Sequence, residues 1–221
     1  MKLVLAALAL GGLAAPAVAQ PAAGGQTAPA SERDRLVRLL VPDATMLELA
    51  MKSLDSEAAA APASDPAMKA YVVAQIRPEL QRLLVRELPA LRSEIAAILT
   101  AELTPPEIAD AATFFASPTG QKIYAAAIGS LGATPGLSDD QAREAAMTAA
   151  MASLTTEDYP ALMAFAASGA SAKMSTINPR IGAASKAWAA RLIAENGERM
   201  RGIQRRAADE YRNKAKRGAG Q

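Results

Sequence analysis

The chain has 221 residues, and among them there is no histidine and no cysteine. Without imidazole there is no histidine general base, no serine or cysteine triad built on one, and no zinc site of the usual kind. Without thiols there are no disulfides, no thiol chemistry and no iron–sulfur cluster. Aromatic residues are scarce too, with three Phe, four Tyr and one Trp, although 51% of the chain is hydrophobic. The core is therefore built from Ala, Leu, Ile and Met, which suits close-packed helices better than a sheet. Beyond the first residues no apolar run approaches the roughly 20 residues of a membrane span, so no transmembrane segment is expected after them.

The start is apolar. Met1-Lys2 precedes the run Leu3 to Leu10, a Gly11-Gly12 break, Pro16 and the small-residue pattern Ala17-Val18-Ala19. That order of regions reads as a secretory signal peptide spanning 1–19, cut before Gln20 and directing the product to the periplasm or the exterior. The alternative, an N-terminal membrane helix, is short of a span and interrupted by its glycines and proline. With export and no cysteine, stability has to come from burying apolar surface.

Charge is unevenly placed. Residues 20–185 carry 13 basic and 18 acidic side chains, whereas 186–221 carry 10 basic and 4 acidic ones. A basic tail suits an anionic surface or an acidic partner, and it equally suits a solvated helix. Nucleic acid is not expected in the exported compartment.

Along the chain, 20–30 is a disordered linker of Pro, Ala and Gly, followed by a helical domain over 31–185. Ser31 and Asp34 open a short helix that stops at Pro42. A second helix carries Met46, Ala50 and Leu54, residues 57–64 form a loop, and Asp65-Pro66 caps a third. From Met68 to about Glu102, leucines and isoleucines recur every three or four residues, as on one buried face. Pro78 and Pro89 predict a break near Arg77 and a kink near Leu88.

Two helix starts follow in series within "LTPPEIADAATFFASPTGQKIY", Leu103 to Tyr124. Thr104 with Glu107 fits a capping box, with Pro105 at the first helical position. Ile108, Ala111, Ala112 and Phe115 line the inner face of a short helix, Ser117 caps the next, and Pro118 fills its first turn. Gly120, unfavourable in a helix by about 1 kcal/mol, suggests a close approach of another backbone. Fifty-one residues on, "LTTEDYPALMAFAASGASAKMS", Leu154 to Ser175, echoes this stretch. Leu103, Thr104, Phe114, Ala116, Ser117 and Lys122 recur as Leu154, Thr155, Phe165, Ala167, Ser168 and Lys173, and Glu107 falls on Asp158. Ser138 and Gln141 announce a helix before the second copy, as the Leu-rich helix precedes the first. The expected fold is all-α, a multi-helix bundle of two related helical-hairpin halves, 79–131 and 139–185. A basic C-terminal helix and frayed tail occupy 186–221.

The first copy resembles the signature of the domain of unknown function 2059 family of exported bacterial proteins. The residues that carry the resemblance are Leu103, Thr104, Glu107, Phe114, Phe115, Ser117, Pro118, Gly120 and Lys122. The second copy departs from it, with Gly169 and Ser171 where Pro118 and Gly120 stand. The resemblance implies an exported all-helical protein and no established reaction, cofactor or catalytic residue.

The chemistry left to such a chain is limited. Glu102 and Glu107 are the acids a carboxylate-based wall hydrolase would use, but Glu107 is already accounted for by its helix start. Ser117 beside Lys122 admits a serine-lysine reading, against an N-cap serine with a surface lysine. Met147 and Met151, one turn apart, would offer thioethers to copper(I), against the default of core filler. Along 179–217, Trp188, Leu192, Met200, Ile203, Ala207 and Tyr211 form one stripe and Arg201, Arg205 and Arg212 face away from it. Pairs Glu195–Arg199 and Arg205–Asp209 would support that helix. The function expected is therefore a non-catalytic envelope module without cofactor or metal, whose partner is an envelope protein, a small apolar ligand in a groove, or an anionic surface met by those arginines. The alternative is the hydrolase.

Overall fold

The computed structural model describes residues 30–60, 65–133 and 139–218. Among these residues every regular element is helical, so the chain is all-α. The signal peptide expected over 1–19, most of the linker expected over 20–30, residues 61–64, Ser138 and the last three residues of the chain lie outside the described residues. The helices are α1 (Ala30–Leu40), α2 (Asp43–Ala60), α3 (Pro66–Glu102), α4 (Pro105–Ala116), α5 (Pro118–Ala133), α6 (Asp139–Ala152), α7 (Tyr159–Ala166) and α8 (Gly169–Gly218). A 3-10 turn, Thr156–Asp158, leads into α7.

Residues Asp43–Pro89 and Ala187 onward form one compact unit. Its buried face is drawn from Met46, Ala50 and Leu54 of α2, from Ile76, Leu80, Leu84 and Leu88 of α3, and from Trp188, Leu192, Met200 and Ala207 of α8. The indole nitrogen of Trp188 donates to the carbonyl of Glu87 at 3.2 Å. Among the described residues, a second unit holds 30–42 and Ala90–Lys186. There α1 packs on α4 and α5 on α6, around Leu36, Leu91, Ile95, Leu99, Ile108 and Ile177, all almost completely buried. α3 and α8 contribute residues to both units.

Local signals account for most element starts. The carboxylate of Asp65 accepts from the amide of Met68 at 2.9 Å, capping α3 as its Asp-Pro start predicts. Several expectations need correction. α1 begins at Ala30, and Asp34 turns to Arg33. The loop expected from residue 57 starts later, because Ala58 to Ala60, the best helix formers, extend α2. α3 does not break near Arg77: it continues through Pro78 and Pro89. An internal proline costs about 3 kcal/mol, and here Ile76, Leu80, Leu84, Leu88 and Leu91, buried on both sides of the two prolines, offset it at about 1.5–3 kcal/mol each. For the same reason α8 starts at Gly169 and passes Pro179, anchored by Ala170, Met174, Ile177 and Ile181.

Candidate functional site

The two echoing stretches meet in the second unit. In the first copy, the backbone amide of Thr104 donates to Oε2 of Glu107 at 2.7 Å and its hydroxyl at 2.9 Å. In the second copy, the amide of Thr155 donates to Oδ2 of Asp158 at 2.8 Å and its hydroxyl at 2.9 Å. Each carboxylate thus takes up an orphan donor at its own helix start, as the capping pattern predicts.

Neither acid stops there. Lys173, from the second copy, places its ammonium 2.6 Å from Oε2 of Glu107. Lys122, from the first, lies 2.6 Å from Oδ2 of Asp158. The pairs are reciprocal: each copy supplies an acid to the other's lysine. The side chains of Phe114 and Phe165, which also correspond, stack with centroids 4.1 Å apart and planes 5° apart, and Phe115 meets Phe165 edge-on at 6.0 Å. Offset or stacked rings at such distances add about 0.5–1.5 kcal/mol beyond the area they bury.

The copies differ where their acids differ. Asp158 is one methylene shorter than Glu107, and the hydroxyl of Thr119 donates to its Oδ1 at 2.9 Å. The position matching Thr119 is Ala170, fully buried without a hydroxyl. Glu107 instead runs past Gly169, where a Cβ would stand 2.7 Å from its Oε1. The longer acid therefore lies where glycine leaves room, and the shorter one is met by a threonine.

The electrostatics follow from these contacts. The ammonium of Lys122, then the amide of Thr155, hold the Asp158 carboxyl far below the ordinary carboxylate range. Burial pushes the Glu107 carboxyl up, but the bonds from Lys173 and Thr104 together outweigh it and bring it below its ordinary value. Both are committed anions.

Ser117 and Lys122 do not form a dyad. The Ser117 hydroxyl donates to the carbonyl of Phe114 at 2.7 Å and accepts from the amide of Gly120 at 3.1 Å, while Lys122 is held by Asp158. Gly120 is explained by a close backbone approach, since a Cβ there would fall 2.0 Å from the carbonyl oxygen of Phe114. Pro118 begins α5, Leu103 is buried at the turn before α4, and Phe115 is buried beside Phe114. Glu102 pairs with Arg180. Met147 and Met151 are exposed rather than core filler, because Ala146 is the buried residue of that turn.

The first unit holds a different feature, an apolar cleft of about 180 Å³ between α2, α3 and α8. Leu80, Leu83 and Leu84 form one wall, and Leu192, Ile193 and Met200 the other, with Arg201 and Gln204 beside them. Arg201, Arg205 and Arg212 are all exposed on α8. The pairs expected along this helix, Glu195–Arg199 and Arg205–Asp209, are rearranged: Arg199 reaches Glu79 at 2.9 Å, and Asp209 takes Arg212 at 2.9 Å. The end of α8 is held where fraying was expected, because Lys214 lies 4.8 Å over the ring of Tyr71 and 3.0 Å from its hydroxyl. Tyr71 and Tyr211 also contact one another, with centroids 5.8 Å apart.

Reasoning from sequence missed the cross-pairing and the cleft. The 51-residue echo put Glu107 with Asp158 and Lys122 with Lys173 as equivalents, but equivalence does not say that each acid faces the other copy's lysine. The cleft has no sequence signal, since its leucines read as ordinary core. Among the described residues no helix is long and apolar enough to cross a membrane.

No curated protein and no solved structure matches the chain. The family model described as "Uncharacterized protein conserved in bacteria (DUF2059)" matches residues 89–156, fewer than half of the chain. That stretch, which contains the first Leu-Thr turn, the phenylalanine pair and Lys122, is where the chain is similar to this uncharacterised bacterial family.

Proposed function

We propose that the protein is a non-catalytic binding module of the bacterial cell envelope, exported by removal of residues 1–19. The observation that carries this reading is the state of Glu107. A glycosidase needs a carboxylic acid whose pKa is raised enough to deliver a proton, whereas the Glu107 carboxyl is held down by Lys173 and Thr104 and shares its oxygen with three donors. Asp158 is held further down by four donors, and Glu102 is paired with Arg180. Glu102, Glu107 and Asp158 are thus spent on folding. The cleft and the exposed Arg201, Arg205 and Arg212 are available for recognition, and they suit a partner with an anionic part.

The full protein, incubated with dye-labelled peptidoglycan, is expected to release no soluble fragments, and E107Q is expected to match it. Release by the wild-type protein that E107Q abolishes would favour the hydrolase. For export, the mass of protein recovered from the periplasm of a bacterial host is expected to correspond to a chain beginning at Gln20.

A further inference from the structure

We propose that the cleft between α2, α3 and α8 binds the hydrocarbon chain of a single-chain anionic amphiphile, with the Arg201 guanidinium at its edge holding the acidic head. This rests on the binding-module reading and gives it a ligand class.

Size is the first argument. Sites for drug-sized ligands span about 300–1,000 Å³, and an apolar cavity of about 150 Å³ takes a guest of benzene's size. A cleft of about 180 Å³ is too small for a bulky or branched ligand and suits a slim chain whose head stays outside.

Polarity is the second. The wall from α3 is leucine throughout, and the polar lining comes from α8 alone. Of that polar lining, Asn196 turns its amide nitrogen onto the carbonyl of Leu192 at 3.1 Å. Arg201 is the charged residue of the lining, and its nearest acid, Glu198, is 3.9 Å away and almost fully exposed. Such an ion pair in water is weak, so an anionic head entering beside Arg201 displaces little. An apolar slot with a cation at one edge favours a carboxylate or phosphate on a hydrocarbon chain over a neutral head, which gains no charge-assisted bond, and disfavours a cationic one.

The third is Gly197, which lines the cleft inside α8. Glycine is disfavoured in a helix interior relative to alanine. A Cβ at 197 would meet only Nη1 of Arg201, at 3.5 Å, an ordinary contact. The fold has room for a side chain there, and glycine leaves that room to the cleft and to the arginine.

The test is calorimetric titration of the full chain with sodium decanoate, 1-decanol and decyltrimethylammonium bromide, each below its aggregation threshold. Decanoate is expected to bind at one site, and octanoate about fourfold more weakly per methylene lost, as for about 0.8 kcal/mol per buried CH₂. R201Q should weaken decanoate about tenfold, the loss of one charge-assisted bond, and leave decanol unchanged. G197L, which fills the cleft, should abolish binding of both. I193W, which narrows it from the same face of α8 one turn earlier, replaces G197L should that variant not fold. Absence of saturable decanoate binding, equal binding of the three probes, or binding unchanged in the cleft variants overturns the assignment. A vesicle arm separates sources: binding to phosphatidylglycerol vesicles without binding of monomeric decanoate also overturns it and transfers the anion to the exposed arginines. Peptidoglycan cleavage together with cleft-dependent decanoate binding would defeat the non-catalytic reading alone.

Discussion

Gly120 stands where the fold leaves no room for a side chain. The three atoms nearest to a Cβ there are backbone, Phe114 O at 2.0 Å, Phe114 C at 2.8 Å and Phe115 Cα at 2.9 Å, so nothing can give way by rotating a side chain. G120A is expected to lower stability by about 3 kcal/mol, at the upper end for overpacking, in urea unfolding of the full chain. Gly129, in the same helix, has nothing within 4 Å of its would-be Cβ, and G129A is expected to raise stability by about 0.5–1 kcal/mol. Equal effects of the two would refute the steric account. At this scale much was legible in the sequence. Thr104 and Glu107, Ser117 and Gly120, and Asp65 with Met68 interact over three residues, a distance at which spacing alone determines who meets whom. Lys122 was not legible beyond being polar, because its partner lies 36 residues on.

Among the elements, α1 depends on its neighbours to persist. Eleven residues are too few for a helix to persist alone in water, and its last carbonyls have no partners within the helix. Two side chains from elsewhere in the second unit supply them. The buried Tyr124 hydroxyl donates to Leu40 O at 2.9 Å, and the guanidinium of Arg92 donates twice to Val41 O, at 3.1 and 2.7 Å. Burial also pushes the Tyr124 phenol well above its ordinary pKa, so it stays a donor throughout the accessible pH range. Y124F should cost about 1–2 kcal/mol and raise amide hydrogen exchange in α1 more than in α3. Uniform loss of protection would place the effect in the core instead. Helix positions followed from periodicity and caps, but their lengths did not. Pro78 reads as a break, and Pro179 as the point from which the last helix runs, because a proline's local cost is visible in sequence, whereas the buried Leu80, Leu84, Ile177 and Ile181 that outweigh it act only once packed.

For the molecule as a whole, the two acids make stability depend on pH with a definite sign. Both carboxyls have native pKa values below their ordinary ones. The stability they supply is therefore fully present above the ordinary carboxylate range and is lost as pH falls through it toward the native values. The melting temperature should be level from about pH 5 to 8 and fall below about pH 4. In the double variant K122M/K173M it should start lower at neutral pH and depend less on acid, because without the lysines the carboxyls titrate nearer their ordinary values. Parallel curves for the two proteins would show that the ion pairs do not set the acid limit. The pairing also bears on what counts as a complete piece of this protein. The family match stops at Thr156, so Glu107 and Lys122 fall inside it and Lys173 and Asp158 outside. A segment bounded there holds one charge of each pair and its counter-charge in neither case. The shortest stretch in which both balances close runs from Glu107 to Lys173, and substitutions at those four positions are therefore constrained in twos, across a boundary that a comparison limited to the matched segment does not cross.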